Sequence, residues 1–140
     1  RSLLLCTAGG HGFALPLADI VAVLPPTAPT PAPAGLGGAF RGVAAHRGEV
    51  LPVLDAGEQL GFAPVLAAPG QEAPMLRIGS ARPIALAVAQ VTGLRRVPER
   101  LISEVGGAGP VAAIAVMGDA PLPICRAEVL AALRAPGGAG

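Results

Sequence analysis

Phe40-Arg41-Gly42-Val43-Ala44-Ala45-His46-Arg47-Gly48-Glu49-Val50-Leu51-Pro52-Val53-Leu54-Asp55 is the stretch that decides how the rest of the chain is read. A short apolar run meets the polar break His46-Arg47-Gly48-Glu49, and a second apolar run follows and ends on an acid. Glycine in such a break supplies the positive φ that tight hairpin turns require, so the unit predicts two antiparallel strands, Phe40–Ala44 and Val50–Leu54. Asp55 then stands where a carboxylate caps a helical turn, predicted over Ala56–Leu60.

The same grammar repeats on both sides. Leu3–Ala8, Phe13–Leu15, Ile20–Leu24, Met75–Ile78, Ile84–Val88, Val111–Met117 and Leu122–Cys125 are further short apolar segments. Gly9-Gly10-His11-Gly12, Gly79-Ser80-Ala81-Arg82 and Gly118-Asp119 are further turns. With 20 Gly and 16 Pro in 140 residues few windows can hold a long helix, so the chain reads as all-β. Helix is expected only over Arg126–Arg134, where Val129, Leu130 and Leu133 share a face, with a further turn at Pro98–Ser103. The Pro-rich stretch 25–38 and residues 63–74 read as extended or irregular linkers. Each half offers a Gly-closed hairpin, an irregular segment and a second hairpin, which suggests two small barrels packed together. One domain over 1–135 and a flexible tail over 136–140 complete the expected organisation.

Composition narrows the function. The chain is 52% hydrophobic and 14% charged, which supplies a core without staples. No apolar run approaches the ~18 residues of a membrane span, Ser2–Ala8 is too short for the apolar segment of a signal peptide and Arg1 is not a natural start, so a trimmed piece of a cytoplasmic protein is expected, with no direct membrane insertion. The net charge is +1, the basic residues are scattered arginines, and Tyr and Trp are absent, which argues against a nucleic-acid partner. Cys6 and Cys125 both lie in apolar strand segments and read as buried free thiols rather than a disulfide.

Catalytic material is thin, and no catalytic residue, cofactor site or metal site is expected. Gly35-Leu36-Gly37-Gly38-Ala39-Phe40 begins like a dinucleotide loop, but Phe40 takes the place of the third glycine. His11, His46, Cys6 and Cys125 would have to converge from four separate places to bind a metal. Leu51-Pro52-Val53-Leu54-Asp55-Ala56-Gly57 resembles the Asp-Thr/Ser-Gly loop of retropepsin-like aspartic proteases, with Val116-Met117-Gly118 a looser second feature. Ala56 lacks the hydroxyl of that loop, and the plainer reading keeps Asp55 as a helix cap.

The whole of Phe40–Asp55, followed by Leu60-Gly61, resembles the signature of CheW-like domains: a Gly-Val strand, an Asn-Leu-Arg-Gly turn and a Leu-Pro-Val-Leu-Asp-Leu strand. Gly12–Leu24, Pro83–Val91 and Ala113–Leu133 resemble that family's early segment, second-half strand and closing elements, so the likeness runs from residue 3 to residue 133. It implies two packed five-stranded SH3-like barrels around a shared core with a short C-terminal helix. It also implies a non-catalytic adaptor that couples the cytoplasmic tip of a chemoreceptor to the regulatory domain of a CheA-type histidine kinase. A degenerate module kept for structure alone is the other reading.

Carried over residue by residue, Arg47 matches the family's turn arginine and either anchors the turn through backbone carbonyls or bonds a partner. Gly42 and Gly48 serve the backbone of the same partner-binding unit, and Val43 and His46 line the interface beside Arg47. Ile20 and Ala22 match the partner-facing edge of the early segment. The chain departs from the family at Ala45-His46, Ala22, Ala89 and Arg126, the last three standing where acids are usual. Weakened or altered partner preference is the expected result.

Overall fold

The computed structural model describes residues 1–31 and 38–132. Eleven strands run in chain order among them: β1 (Ser2–Ala8), β2 (His11–Pro16), β3 (Ile20–Thr27), β4 (Phe40–His46), β5 (Glu49–Asp55), β6 (Ala73–Ile78), β7 (Ile84–Ala87), β8 (Gln90–Arg96), β9 (Ile102–Glu104), β10 (Val111–Met117) and β11 (Ala120–Cys125). The short helices α1 (Ala56–Leu60) and α2 (Ala127–Leu130) follow β5 and β11. All nine apolar segments become strands, and the turn of helix after Asp55 forms. The closing helix begins after Arg126 and ends at Leu130, and Leu133 and Arg134 lie outside the described residues. So do the proposed tail over 136–140 and positions 32–37 of the first linker, whose opening Pro25-Pro26 belongs to β3.

Two sheets result. One has six strands in the order β8-β1-β2-β11-β10-β9, and the other has five in the order β3-β6-β7-β5-β4. Neither closes, so the expected pair of five-stranded barrels is corrected to two open, packed sheets, one of them six-stranded. The physical reason lies at the edges. At the end of β3, Pro25 and Pro26 have no N–H to give a ladder, and across that gap the described residues form only a two-bond bridge, Thr30 to Val43 (2.8 and 2.9 Å). In the larger sheet β8 carries a bulge at Thr92, and β9 is only three residues long. There the seam is spanned by side chains: the Arg1 guanidinium bonds Glu99 and Glu104, each at 3.0 Å.

The sheets are also not the two halves of the chain. The five-stranded sheet is one continuous piece, from Ile20 to Ala87, inserted between β2 and β8. β1 and β2 pair with C-terminal strands, Ser2 opposite Arg96 and Ala14 beside Ile124.

This topology explains why β1 is apolar at almost every position. Leu4, Cys6 and Ala8 enter the large core shared by both sheets, together with Phe13, Leu15 and Leu86. Leu3 points the other way, into a smaller core with Ala14, Val97, Ala113, Ala115 and Ile124. Successive side chains of a strand alternate faces, so a strand between two cores must be apolar on both. β7 obeys the same rule: all four residues of Ile84–Ala87 are buried. α2 packs Ala127 and Leu130 into the shared core, and the Gln59 amide of α1 donates to the carbonyls of Leu130 (2.9 Å) and Ala132 (3.1 Å).

Cys6 and Cys125 are free and buried, as expected. Cys6 lies opposite Phe13, and Cys125 follows Ile124, which lies beside Ala14, so the two cysteines share a face two strands apart. Two strand spacings are about 9–10 Å, beyond the ~7 Å Cα reach of a disulfide. Burial pushes both thiols from 9.0 up to about 12, with Cys125 adding to the effect at Cys6. They should stay unlabelled by a thiol reagent at pH about 8 until the protein unfolds, because the thiolate is the reactive form. The sign of the linkage follows. This contribution to stability is complete below pH 9.0 and is lost as pH rises toward about 12, since unfolded thiols ionise first. Labelling at the rate of global unfolding, with stability falling above pH about 9, is the measurement that checks it.

Candidate protein-contact surface

The polar break read from the sequence is a two-residue hairpin with His46 opposite Glu49. Arg47 and Gly48 take φ of 51° and 77°, the left-handed pair that a tight hairpin of this twist demands. Arg47 is the one non-glycine residue with positive φ among the described residues, and its side chain is exposed. It makes no hydrogen bond or ion pair with any other described residue, so it does not anchor the turn. Glycine is the default residue for that backbone, so a functional constraint at Arg47 opposes a local conformational preference.

Arginines at other positions take the anchoring role. Arg41 donates to the carbonyls of Gly38 (2.7 Å), Phe40 (3.2 Å) and Leu66 (3.3 Å), and pairs with Glu58 at 3.2 Å. Arg126, standing where the family's acid is usual, donates to Gly109 and Val111 at 2.7 Å and to Val105 at 3.2 Å, tying that loop to the start of α2. Arg77 of β6, only 12% exposed, reaches the β4–β5 hairpin: Nη1 lies 3.1 Å from His46 Nδ1 and Nη2 lies 2.7 Å from Glu49 Oε1. Because Ala22 is Arg77's register partner on β3, this guanidinium links the early segment to the turn. The sequence reading passed over Arg77. Its available signal was a lone cation in Met75-Leu76-Arg77-Ile78, where all three neighbours are buried.

The remaining residues divide by face. Ile20 and Ala22 are half-buried and pack against the shared core, whereas Val21 and Val23 point outward at 59% and 52% exposure. Val43 is half-buried in the Thr30 bridge, and Gly42 is buried beneath Thr30. Val50, at the start of β5, is 68% exposed. Ala22 and His46 thus both adjoin Arg77, Ile20 lies opposite Ile78, and Arg47 and Gly48 form the tip of the hairpin.

Asp55 is wholly buried, and its carboxylate is fully engaged. Oδ1 accepts from the backbone N–H of Glu58 (3.2 Å) and Val65 (3.0 Å), Oδ2 accepts from Leu66 (2.8 Å), and Arg41 Nε stands 3.7 Å away. A carboxylate with no exposed surface, bonded to three backbone donors, holds a loop to a strand and is out of reach of an attacking water molecule. The protease reading ends there.

Two packed sheets sharing a core, with a fixed hairpin and outward-facing valines, have the build of a protein-binding module. A sequence profile of the CheW-like domain family matches residues 2–133, and the chain belongs to that family. It is a non-catalytic adaptor of chemotaxis signalling, and CheW-like domains in general bridge chemoreceptors and CheA kinases. The fold is also that of a solved structure, the scaffolding protein TtCheW from Thermoanaerobacter tengcongensis. The two chains share 16% identity, with a TM-score of 0.77, over 92% of this chain and 86% of that one. A search of curated proteins finds no match to the chain. No helix among the described residues is long and apolar enough to cross a membrane.

Proposed function

We propose that the chain works in the cytoplasm, joining the regulatory domain of a CheA-type histidine kinase to the cytoplasmic tip of a chemoreceptor. The proposed contact surface is the hairpin end of the five-stranded sheet: Arg47 and Gly48 at the tip, Val43 and His46 beside it, Gly42 beneath, and Ile20 and Ala22 on β3. One observation carries this reading. Arg47 is held in a backbone conformation that arginine disfavours, exposed, without a partner among the described residues. A planar guanidinium in that position suits a carboxylate or carbonyl on another chain. With Ala22 apolar, β3 offers no second charged contact there, which supports an altered partner preference.

Calorimetric titration against the kinase regulatory domain and the receptor tip of the same genome tests the proposal. Arg47→Ala should lower affinity for one of them at least about tenfold, the effect of losing a hydrogen bond to a charged group. Its unfolding midpoint should stay within experimental error. Equal affinity for both partners would remove Arg47 from the interface. No binding of either partner by the unmodified chain would leave the structural-module reading.

A further inference from the structure

We propose that His46, Arg77 and Glu49 form a proton-sensitive latch that holds the β4–β5 hairpin against β6. The argument starts from donor chemistry. A guanidinium has five N–H donors, no acceptor and no accessible neutral form. His46 Nδ1, 3.1 Å from Arg77 Nη1, must therefore present a lone pair, which places the ring's single proton on Nε2. Arg77 spends a second nitrogen on Glu49 at 2.7 Å, so one cation fastens both sides of the hairpin.

A second proton on the ring undoes this arrangement. It removes the Nδ1 acceptor and sets an imidazolium against a guanidinium at bonding distance. With Arg77 only 12% exposed, solvent and salt screen that repulsion weakly. The charged groups around the ring are Arg77 from β6, at 3.1 Å, and Glu49, its register partner on β5; Arg47 follows it in the turn, and Ala22, the register partner of Arg77 on β3, is uncharged. Glu49, more than half exposed, is free to turn toward the imidazolium, which weakens its hold on Arg77 further. Acidification supplies that second proton, so lowering the pH releases the latch.

Release matters because β4 is an edge strand, and among the described residues the backbones of β3 and β4 are otherwise linked only through the Thr30–Val43 bridge. Without the Arg77 tether the hairpin tip is held by its own ladder alone. The latch stands on geometry and does not depend on which partners the domain binds.

Amide hydrogen exchange at about pH 7.5 and pH 5.5, corrected for intrinsic rates, tests it. Protection of the hairpin amides Ala44–His46 and Glu49–Leu51 should fall about tenfold at the lower pH, while that of β7 holds. His46→Gln, whose carbonyl offers Arg77 an acceptor that does not titrate, should abolish the pH response, and His11→Gln should keep it. A long-range proton–nitrogen spectrum at pH about 7.5 should show Nδ1 of His46 as the unprotonated nitrogen. A pH-independent hairpin, a response surviving in His46→Gln, a response lost only in Glu49→Gln, or an Nδ1–H tautomer would each overturn the latch.

Discussion

Asp55→Ala is expected to destabilise the protein by about 4 kcal/mol, the largest loss foreseen for a polar residue here. The side chain is 0% exposed and accepts three backbone N–H groups, two of which, at Val65 and Leu66, are themselves buried. A buried donor left unsatisfied costs about 1–3 kcal/mol. The third acceptance, at Glu58 on the first turn of α1, is partly exposed, and losing a cap costs about 1 kcal/mol. Against a total stability of about 5–15 kcal/mol such a loss is severe. Asp55→Asn separates geometry from charge: it keeps one oxygen for Glu58 and Val65 but turns an NH₂ toward Leu66 N–H, and about 2–3 kcal/mol should go. Urea unfolding followed by far-ultraviolet circular dichroism is the measurement, because the chain has no Trp or Tyr to report by fluorescence. An unchanged midpoint in Asp55→Asn would contradict the bonding described.

Gly42→Ala should be comparably damaging, by about 3 kcal/mol or more, and Gly48→Ala should cost only about 1 kcal/mol. Both glycines have positive φ, 114° and 77°, so both variants carry backbone strain. They differ in surroundings. A Cβ on Gly42 would run into the carbonyl of Thr30, with Pro31 Cα 3.4 Å away, whereas one on Gly48 meets nothing within 4 Å. The Gly42 variant must therefore push the 30–31 segment away and break the Thr30–Val43 bridge, the only backbone link across that gap among the described residues. The same unfolding experiment ranks the two, and a Gly48 variant as damaged as the Gly42 variant would show that strain, not contact, governs this hairpin.

Most of the strands could be read from the sequence because their signal is local. Phe40–Asp55 runs apolar, breaks at a polar turn and runs apolar again, and nothing distant interferes with that pattern. The two strands that escaped, β8 and β9, are edge elements whose apolar content is low. Gln90–Arg96 contains Thr92, Gly93 and two arginines, the composition that blunts an open edge, and such a strand looks like a loop. Barrel closure was not legible either. It depends on whether two edges meet in register, which Pro25, Pro26 and the bulge at Thr92 decide in three dimensions.

The surface shows the same division. The turn glycines were readable from turn chemistry, Arg47 only from the family likeness, and Asp55 as a cap from its place after a strand. Its further reach to Val65 and Leu66 was not, because those residues come ten and eleven positions later through an irregular segment. Arg77 was hidden for a related reason: its partners on β4 and β5 are 31 and 28 residues away, and neither strand neighbours β6 in the sheet.

The insertion of one sheet inside the other also sets an order of events during synthesis. The five-stranded sheet is complete once residue 87 has emerged, but β1 and β2 then still lack β8 and β11. At about 5–20 residues per second, about 2–8 seconds separate the emergence of Ala87 from that of Cys125. Throughout that interval the N-terminal hairpin carries Leu3, Leu4, Cys6, Phe13 and Leu15 with at most one of its two cores available to bury them. That nascent hairpin is where a chaperone would find this chain, and where a slow codon placed before β8 would most raise the yield lost to aggregation.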